Sequence, residues 1–251
     1  MGFVQGRGTV AGHGWEGVVL KLMRGKDFEF TVTGVEDVTE YYRRIHVTDG
    51  GMLARTGVHP TMWVRLWFDR DGKPHQRAYT LVDPDPDKGT FTLEFALHDG
   101  AASAWARKAS PGDTIAATVQ GTGFETPEPA PARLFVVGDA AALPAIHSLL
   151  SALPSTPATI WFETQHGSDA DLAAPRVDPD RHDLRVVERR APGGHLVDEV
   201  KAALPALLGD PADAYVWITC DTTTTRTLSA YVRKELSVPK DRVHALGYWR
   251  P

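Results

Sequence analysis

The chain has 251 residues, 42% hydrophobic and 24% charged, with a formal net charge of −5; it can bury a core without disulfide or metal staples, as one large domain or two modest ones. Charge is spread evenly, with 14 basic against 17 acidic residues in 1–130 and 13 against 15 in 131–251, so no basic half exists to bind nucleic acid. The lone cysteine, Cys220, closes no intramolecular disulfide and builds no zinc or iron–sulfur site by itself.

The glycine-rich start reads as a tail, with structure expected from residue 17. It has no apolar signal core, and no run approaches the ~18 apolar residues of a spanning helix. A cytoplasmic protein without a membrane partner is the expectation. From there to the linker the chain reads as β. Phe28–Val38, Tyr41–Thr48, Trp63–Asp69, Ala78–Val82, Thr90–His98 and Thr114–Gln120 are rich in β-branched and aromatic residues. Many alternate, as in Phe91, Leu93, Phe95 and Leu97, whose partners face the other way. Asp71-Gly72 and Lys88-Gly89 mark turns, and one helix is expected near Ala102–Lys108. Six short strands in about a hundred residues predict a six-stranded antiparallel barrel.

Pro127, Pro129 and Pro131 can neither continue a helix nor pair centrally in a sheet, so they mark an extended linker. This divides the chain into domains 17–130 and 131–251. Beyond it, short apolar strands at Leu134–Val137, Thr159–Phe162, Leu184–Val187, Tyr215–Thr219 and Val243–Leu246 alternate with helices near Leu143–Leu153, Leu196–Leu208 and Thr225–Leu236. That grammar is a parallel sheet covered on both faces.

The ten histidines are never closer than thirteen residues, so local His-based metal spacing is absent, and so are the nucleophile elbow, the P-loop and the G-x-G-x-x-G fingerprint. The positive signal is Arg77-Ala78-Tyr79-Thr80. In a strand Arg77 and Tyr79 share one face and Thr80 takes the other. An arginine there can clamp a pyrophosphate, a ring can cover a flavin, and a hydroxyl can bond flavin N5. The same pattern suits an ordinary strand with an exposed arginine. Next, Leu97-His98-Asp99-Gly100-Ala101-Ala102-Ser103 runs through a small-residue turn into a helix, whose first N–H groups favour a phosphate. Ser103 caps that helix or donates to the phosphate.

With these segments in place the chain resembles the siderophore-interacting proteins, flavin-containing ferric-siderophore reductases of the ferredoxin-reductase-like group. The resemblance rests on Arg77-x-Tyr79-Thr80, on Leu97-His98-Asp99-Gly100 leading to Ser103 and Trp105, and on Pro111-Gly112-Asp113. It continues with Val137-Gly138-Asp139, Ala142–Ile146 and the closing Gly247-Tyr248-Trp249-Arg250. It implies an FAD-binding barrel followed by an NAD(P)H-binding-like domain. Arg77, Tyr79 and Thr80 would hold the pyrophosphate and isoalloxazine, with Tyr79 and Thr80 nearest the chemistry. His98, Asp99, Ala102 and Ser103 would line the ribityl-phosphate side. Asp139 would sit beside FAD or the nicotinamide, and Trp249 near the flavin or closing the core.

Three positions depart from the family pattern. Val82 replaces an arginine, Gly138–Ala142 lacks two polar side chains, and Cys220-Asp221 stands where Gly-Glu is usual, ahead of Thr222–Thr225. The last two fall where the dinucleotide should enter, so weak or altered NAD(P)H use follows. Cys220 reads as core packing. Glu163, at a strand end, favours a ribose 2′-hydroxyl over a 2′-phosphate, hence NADH over NADPH.

Residues 41–77 carry a net +4 within the acidic chain, which suits bulky anionic ferric chelates. Arg65 takes a family Lys/Arg position, and Arg250 follows the terminal tryptophan; both are expected to meet the siderophore, although a solvated strand face also accounts for Arg65. Hydride brings two electrons and ferric iron accepts one, a mismatch that a flavin bridges. No resident metal is needed, because the chelate brings its iron. The expected partner is a ferric siderophore, on a monomer or weak dimer. Two alternatives stand beside this: a flavoprotein reductase with another acceptor (free flavin, quinone or protein), and a non-enzymatic binder of ferric chelates.

Overall fold

The computed structural model describes residues 26–119, 124–173, 176–190 and 194–250. The expected start at residue 17 lies outside the described residues. Two sheets organise the chain. The first holds β1 (Lys26–Thr39), β2 (Tyr42–Thr48), β3 (Trp63–Arg70), β4 (Lys73–Thr80), β5 (Val82–Asp85), β6 (Thr90–Ala96) and β7 (Thr114–Val119), with short helix α1 (Met52–Thr56) and α2 (Ala101–Lys108) between strands. These strands pair antiparallel, in the order β4-β3-β7-β1-β2-β6-β5.

The expected single strand Ala78–Val82 is two strands, which makes seven rather than six. Residues up to Thr80 pair with β3, and Val82 pairs with β6, so the chain changes partners at Leu81. Leu81 turns its N–H to Met62 O at 2.8 Å. One residue thus joins the two ends of the strand order, and the sheet curls into a barrel. Both strands are edges, where Pro74 and Pro84 are tolerated. The polar run Lys73–Arg77 shows no apolar alternation and so hid most of β4. Inside, Phe30, Ile45, Val64, Leu66, Leu93 and Phe95 are fully buried.

The second sheet is parallel: β8 (Arg133–Asp139), β9 (Ala158–Thr164), β10 (His182–Glu188), β11 (Ala214–Thr219) and β12 (Val243–Ala245), in the order β10-β9-β8-β11-β12. Helices α3 (Leu143–Ala152), α4 (Asp169–Ala173), α5 (Gly194–Leu207) and α6 (Thr222–Lys234) cover it. Alternate residues of β8 divide between the faces: Leu134 and Val136 pack with α3 and α4, Phe135 and Val137 with α5 and α6. Such two-sided burial explains why these strands read as unbroken apolar runs.

The barrel docks on the α3 face. Tyr42 of β2 is buried in the same cluster as α3 and donates its hydroxyl to Glu94 at 2.8 Å. Arg176 makes two bonds to Asp83 (2.8 and 2.5 Å), Thr61 N–H donates to Ser148 Oγ at 2.8 Å, and the Tyr41 and His166 rings stack at 3.5 Å. Strand order reverses between β8 and β11, and in open α/β sheets ligands bind outside the carboxyl ends of the strands at that point.

Gly138 lets β8 approach its neighbours there. A Cβ on it would lie 2.7 Å from Ile146 Cδ1 and 3.1 Å from Thr219 O. Gly138→Ala is expected to destabilise the chain by about 1–3 kcal/mol through overpacking, read as a lowered urea midpoint. An unchanged midpoint would show that the approach has slack.

Candidate functional site

The edge strand β4 carries the motif. Arg77 lies opposite Leu66 and Tyr79 opposite Val64, both core residues, whereas Thr80 lies opposite Trp63 and Ala78 opposite Arg65. Arg77 and Tyr79 therefore sit on the barrel-interior face at its open edge, and Thr80 on the other face. Arg77 is exposed, its guanidinium held to Gln76 O at 2.7 Å. Tyr79 closes the barrel end in a ring cluster, 4.3 Å from Phe95 and 6.1 Å from Phe68, with Trp105 5.9 Å from Phe68. Burial holds the Tyr79 phenol well above its ordinary value, so it is neutral.

His98 and Asp99 are exposed in the turn before α2, with His98 Nδ1 2.7 Å from Asp99 O. Ala102 and Ser103 are buried, and Ser103 Oγ accepts the His98 N–H at 3.1 Å. That bond ties the turn to the helix; no side chain caps α2, whose N-cap is Gly100.

The crevice of the parallel sheet comes next. Asp139 ends β8 and is 7% exposed. It accepts the Trp249 indole N–H at 2.7 Å and the Ala141 N–H at 3.0 Å. Burial raises its carboxyl to about 6, against the opposing pull of these donors and of Arg189. Glu163 stands beside it at the end of β9, also raised by burial and opposed by Arg189, which bonds it at 2.8 Å. Asp221 caps α6 by accepting the Thr223 and Thr224 N–H groups. Cys220 lies in the core, its thiol pushed far up by burial and 3.4 Å from Thr225 Oγ1; it is a packing residue.

The motif and the crevice come together where Thr80 faces the Tyr248 hydroxyl, which burial keeps protonated. Tyr248 N–H in turn donates to Cys220 O at 2.8 Å. The structure thus brings together Thr80, Tyr248, Asp139 and Trp249. Arg65 lies on Thr80's face, its guanidinium 5.3 Å from the Trp63 ring centroid. Arg250 is exposed at the end of the described chain. Arg189 escaped the sequence reading: it follows β10 in a charged run with no local pattern, and only folding sets it beside Glu163 and Trp249. Among the described residues no group of three or more His, Cys, Asp or Glu could hold a metal, and no helix is long and apolar enough to cross a membrane.

The raised Asp139 carboxyl gives a signed pH prediction. Between about pH 4 and pH 6 the folded state holds this proton more firmly than the unfolded chain. The stability it contributes is full below that window and lost as pH rises through about 6. Relative to wild type, Asp139→Asn should therefore gain on the order of 1–3 kcal/mol between about pH 4 and pH 7, in urea unfolding at both. Parallel pH profiles would show that Asp139 titrates normally.

Residues 131–251 match the model of the siderophore-interacting protein family, and residues 52–121 that of the siderophore-interacting FAD-binding domain. The chain is 32% identical over 247 residues to the mycobactin import ATP-binding/permease protein IrtA of Mycolicibacterium thermoresistibile, covering 94% of this chain and 26% of that protein. It thus spans about a quarter of the length of this curated relative. It is 28% identical to the NADPH-dependent ferric-chelate reductase of Escherichia coli, over 70% of this chain and 67% of that protein. Among solved structures, the siderophore-interacting protein of Acinetobacter baumannii shares the fold, with a TM-score of 0.78, 20% identity and coverage of 90% and 91% of the two chains. On the strength of both family models, the chain belongs to the siderophore-interacting proteins, with an FAD-binding barrel followed by the family's α/β domain.

Proposed function

We propose that the chain reduces ferric siderophores, passing electrons from NADH or NADPH through FAD to the chelated iron. The observation that carries this reading is the approach to Thr80 of Tyr248, whose N–H is bonded to Cys220 O at 2.8 Å beyond the end of β11. Through it, the motif strand of an FAD-binding barrel meets the strand-end crevice of a sheet suited to a dinucleotide. The E. coli relative bears the name of a ferric-chelate reductase and the mycobacterial relative that of a mycobactin importer, which supports the same substrate class.

The residues present fit a flavin dinucleotide. Arg77 presents an exposed guanidinium at the open barrel edge, and the first turn of α2 has no acidic residue and is preceded by Gly100. Arg77 and these N–H groups would hold the pyrophosphate. His98, Asp99, Ala102 and Ser103 line the approach to it, and Tyr79 and Thr80 would bind the isoalloxazine, Thr80 at N5. Bound FAD supplies the conversion of an electron pair into single electrons. One nicotinamide thereby reduces two ferric ions and releases one proton. Asp139 and Trp249 stand at the donor end of this path. Arg65, with Arg250, supplies positive charge for an anionic chelate, whose Fe(II) form is bound weakly and leaves. Glu163 is buried and paired with Arg189 at 2.8 Å, so the NADH preference expected of a free carboxylate there does not follow. No general acid or base is required; positioning carries the rate.

Anaerobic titration of the FAD-loaded protein with NADH and NADPH is the direct test. Bleaching by either, followed by Fe(II) capture with ferrozine after adding a ferric siderophore, is the expected result. Bleaching without Fe(II) would point to another acceptor, and no bleaching to a binder of ferric chelates. Arg77→Ala is expected to lose FAD, and Arg65→Ala to keep FAD while weakening chelate affinity by about tenfold, the loss of one charge contact. Retained flavin in the first, or unchanged affinity in the second, would remove those roles.

A further inference from the structure

Side chains alternate sharply along β3. Val64, Leu66 and Phe68 enter the barrel core, so Trp63, Arg65 and Trp67 share the outer face. All three are half-buried and keep part of their surface in solvent. Opposite Arg65 stand only Ala78 on β4 and Thr118 on β7, so short side chains flank the stripe on both sides. Two indoles grouped on an outer strand face, with a cation between them, mark a surface built to be covered.

Both ends of the stripe are fixed. The Trp67 indole N–H donates to Thr118 Oγ1 at 2.9 Å, and that hydroxyl donates to Asp27 Oδ1 at 2.8 Å. The Arg65 guanidinium lies 5.3 Å from the Trp63 ring centroid, within the range of a cation–π contact. A planar guanidinium over an indole is a stack that a further flat ring can join. Trp63 lies opposite Thr80, which faces Tyr248 of the second domain. The stripe therefore begins beside the motif residue that would meet flavin N5 and runs away from it along β3. Its setting is cationic, because residues 41–77 carry a net +4, and Asp27 at the far end is engaged by the Thr118 hydroxyl.

We infer that Trp63 and Trp67, standing on either side of Arg65, determine which chelates the protein accepts, and select those whose iron is held by anionic aryl oxygens, as in catecholates and phenolates. This rests on the reductase reading above. Such a chelate presents flat rings and net negative charge on one ligand shell. The indoles meet the rings by offset or edge-to-face contact, and Arg65 meets the charge. A citrate chelate offers the charge without a ring, and a tris-hydroxamate chelate is neutral and ringless. Arg65 alone favours any anionic chelate, so discrimination between catecholate and citrate falls to the two indoles.

The test uses the full chain loaded with FAD and redox-inert gallium(III) chelates, so that binding is read apart from reduction. Dissociation constants are measured for a tris-catecholate, a citrate and a tris-hydroxamate chelate. The wild type is expected to bind the catecholate about tenfold or more tighter than either of the others. Trp63→Leu should cut the catecholate-to-citrate ratio about tenfold, the worth of one ring contact, and Trp67→Leu about threefold. Trp63→Phe keeps a ring and should hold that ratio within about threefold of wild type. Arg65→Ala should weaken both anionic chelates, with their ratio also within about threefold of wild type. Retained flavin absorbance shows that each variant is folded; if Trp63→Leu loses it, Trp67→Leu decides. A wild type without the catecholate preference overturns the inference, and so does a ratio unmoved in both leucine variants. A dimer of the wild type that Trp63→Leu abolishes, with chelate affinities unchanged, gives the stripe to a second copy of the chain and overturns it too. Flavin bleaching by NADH or NADPH with Fe(II) capture, on the same preparations, tests the reductase reading separately. Failure there with the expected ratios removes the reaction and leaves the aryl-selective stripe. Success there with unmoved ratios removes the stripe alone.

Discussion

A carboxylate buried where a parallel sheet reverses direction has to be met by donors, and the way Asp139 is met organises this protein. Leaving it unpaired would cost several kcal/mol, on the order expected for a buried ion. Its partners are the Ala141 and Ala142 N–H groups next to it in the chain and the indole of Trp249, 110 residues away. The long-range partner is the consequential one. It draws the end of the chain onto the strand ends, and Tyr248, one residue earlier, is thereby set against Thr80 of the barrel. A requirement of burial in one domain thus aligns the Arg77–Thr80 strand of the other.

The same logic holds at the docking face. Glu94 is buried on the barrel, where the Tyr42 hydroxyl and Arg44 Nε each meet one of its oxygens at 2.8 Å. Arg176 reaches across to Asp83. These pairs add little net stability, because desolvation offsets most of the attraction. Their effect is on orientation: directional bonds admit few alternative dockings, whereas apolar contacts alone would admit many.

Closure of the barrel is a covalent constraint rather than an energetic one. Leu81 alone separates the two edge strands, so the motif strand cannot move away from the strand that follows it. Arg77 and Tyr79 are held at an open edge, facing the interior, while Thr80 faces the second domain. An edge strand presents unpaired backbone and unfilled space, which a cofactor can use without displacing a core.

Much of this was legible in the chain. Phe91, Leu93, Phe95 and Leu97 announce a half-buried strand by alternation, and the apolar runs of β8 and β11 announce two-sided burial, because both signals depend on neighbours one or two residues apart. The proline-rich stretch around Pro127–Pro131 and the Arg77–Thr80 motif are equally local. The division of Ala78–Val82 into two strands was not, since it depends on which strand each half pairs with. Nor were Arg189's place beside Glu163 and Trp249, or the seating of Tyr248 on Thr80. Composition and local pattern determined the two kinds of sheet, and the resemblance of short motifs to a known family pointed to the family and to the residues that match its motifs. Only the tertiary structure decided which of those residues meet, because hydrogen bonds and ring contacts between groups far apart in the chain are set by how the sheets close and dock, and residue spacing along the backbone carries no record of that.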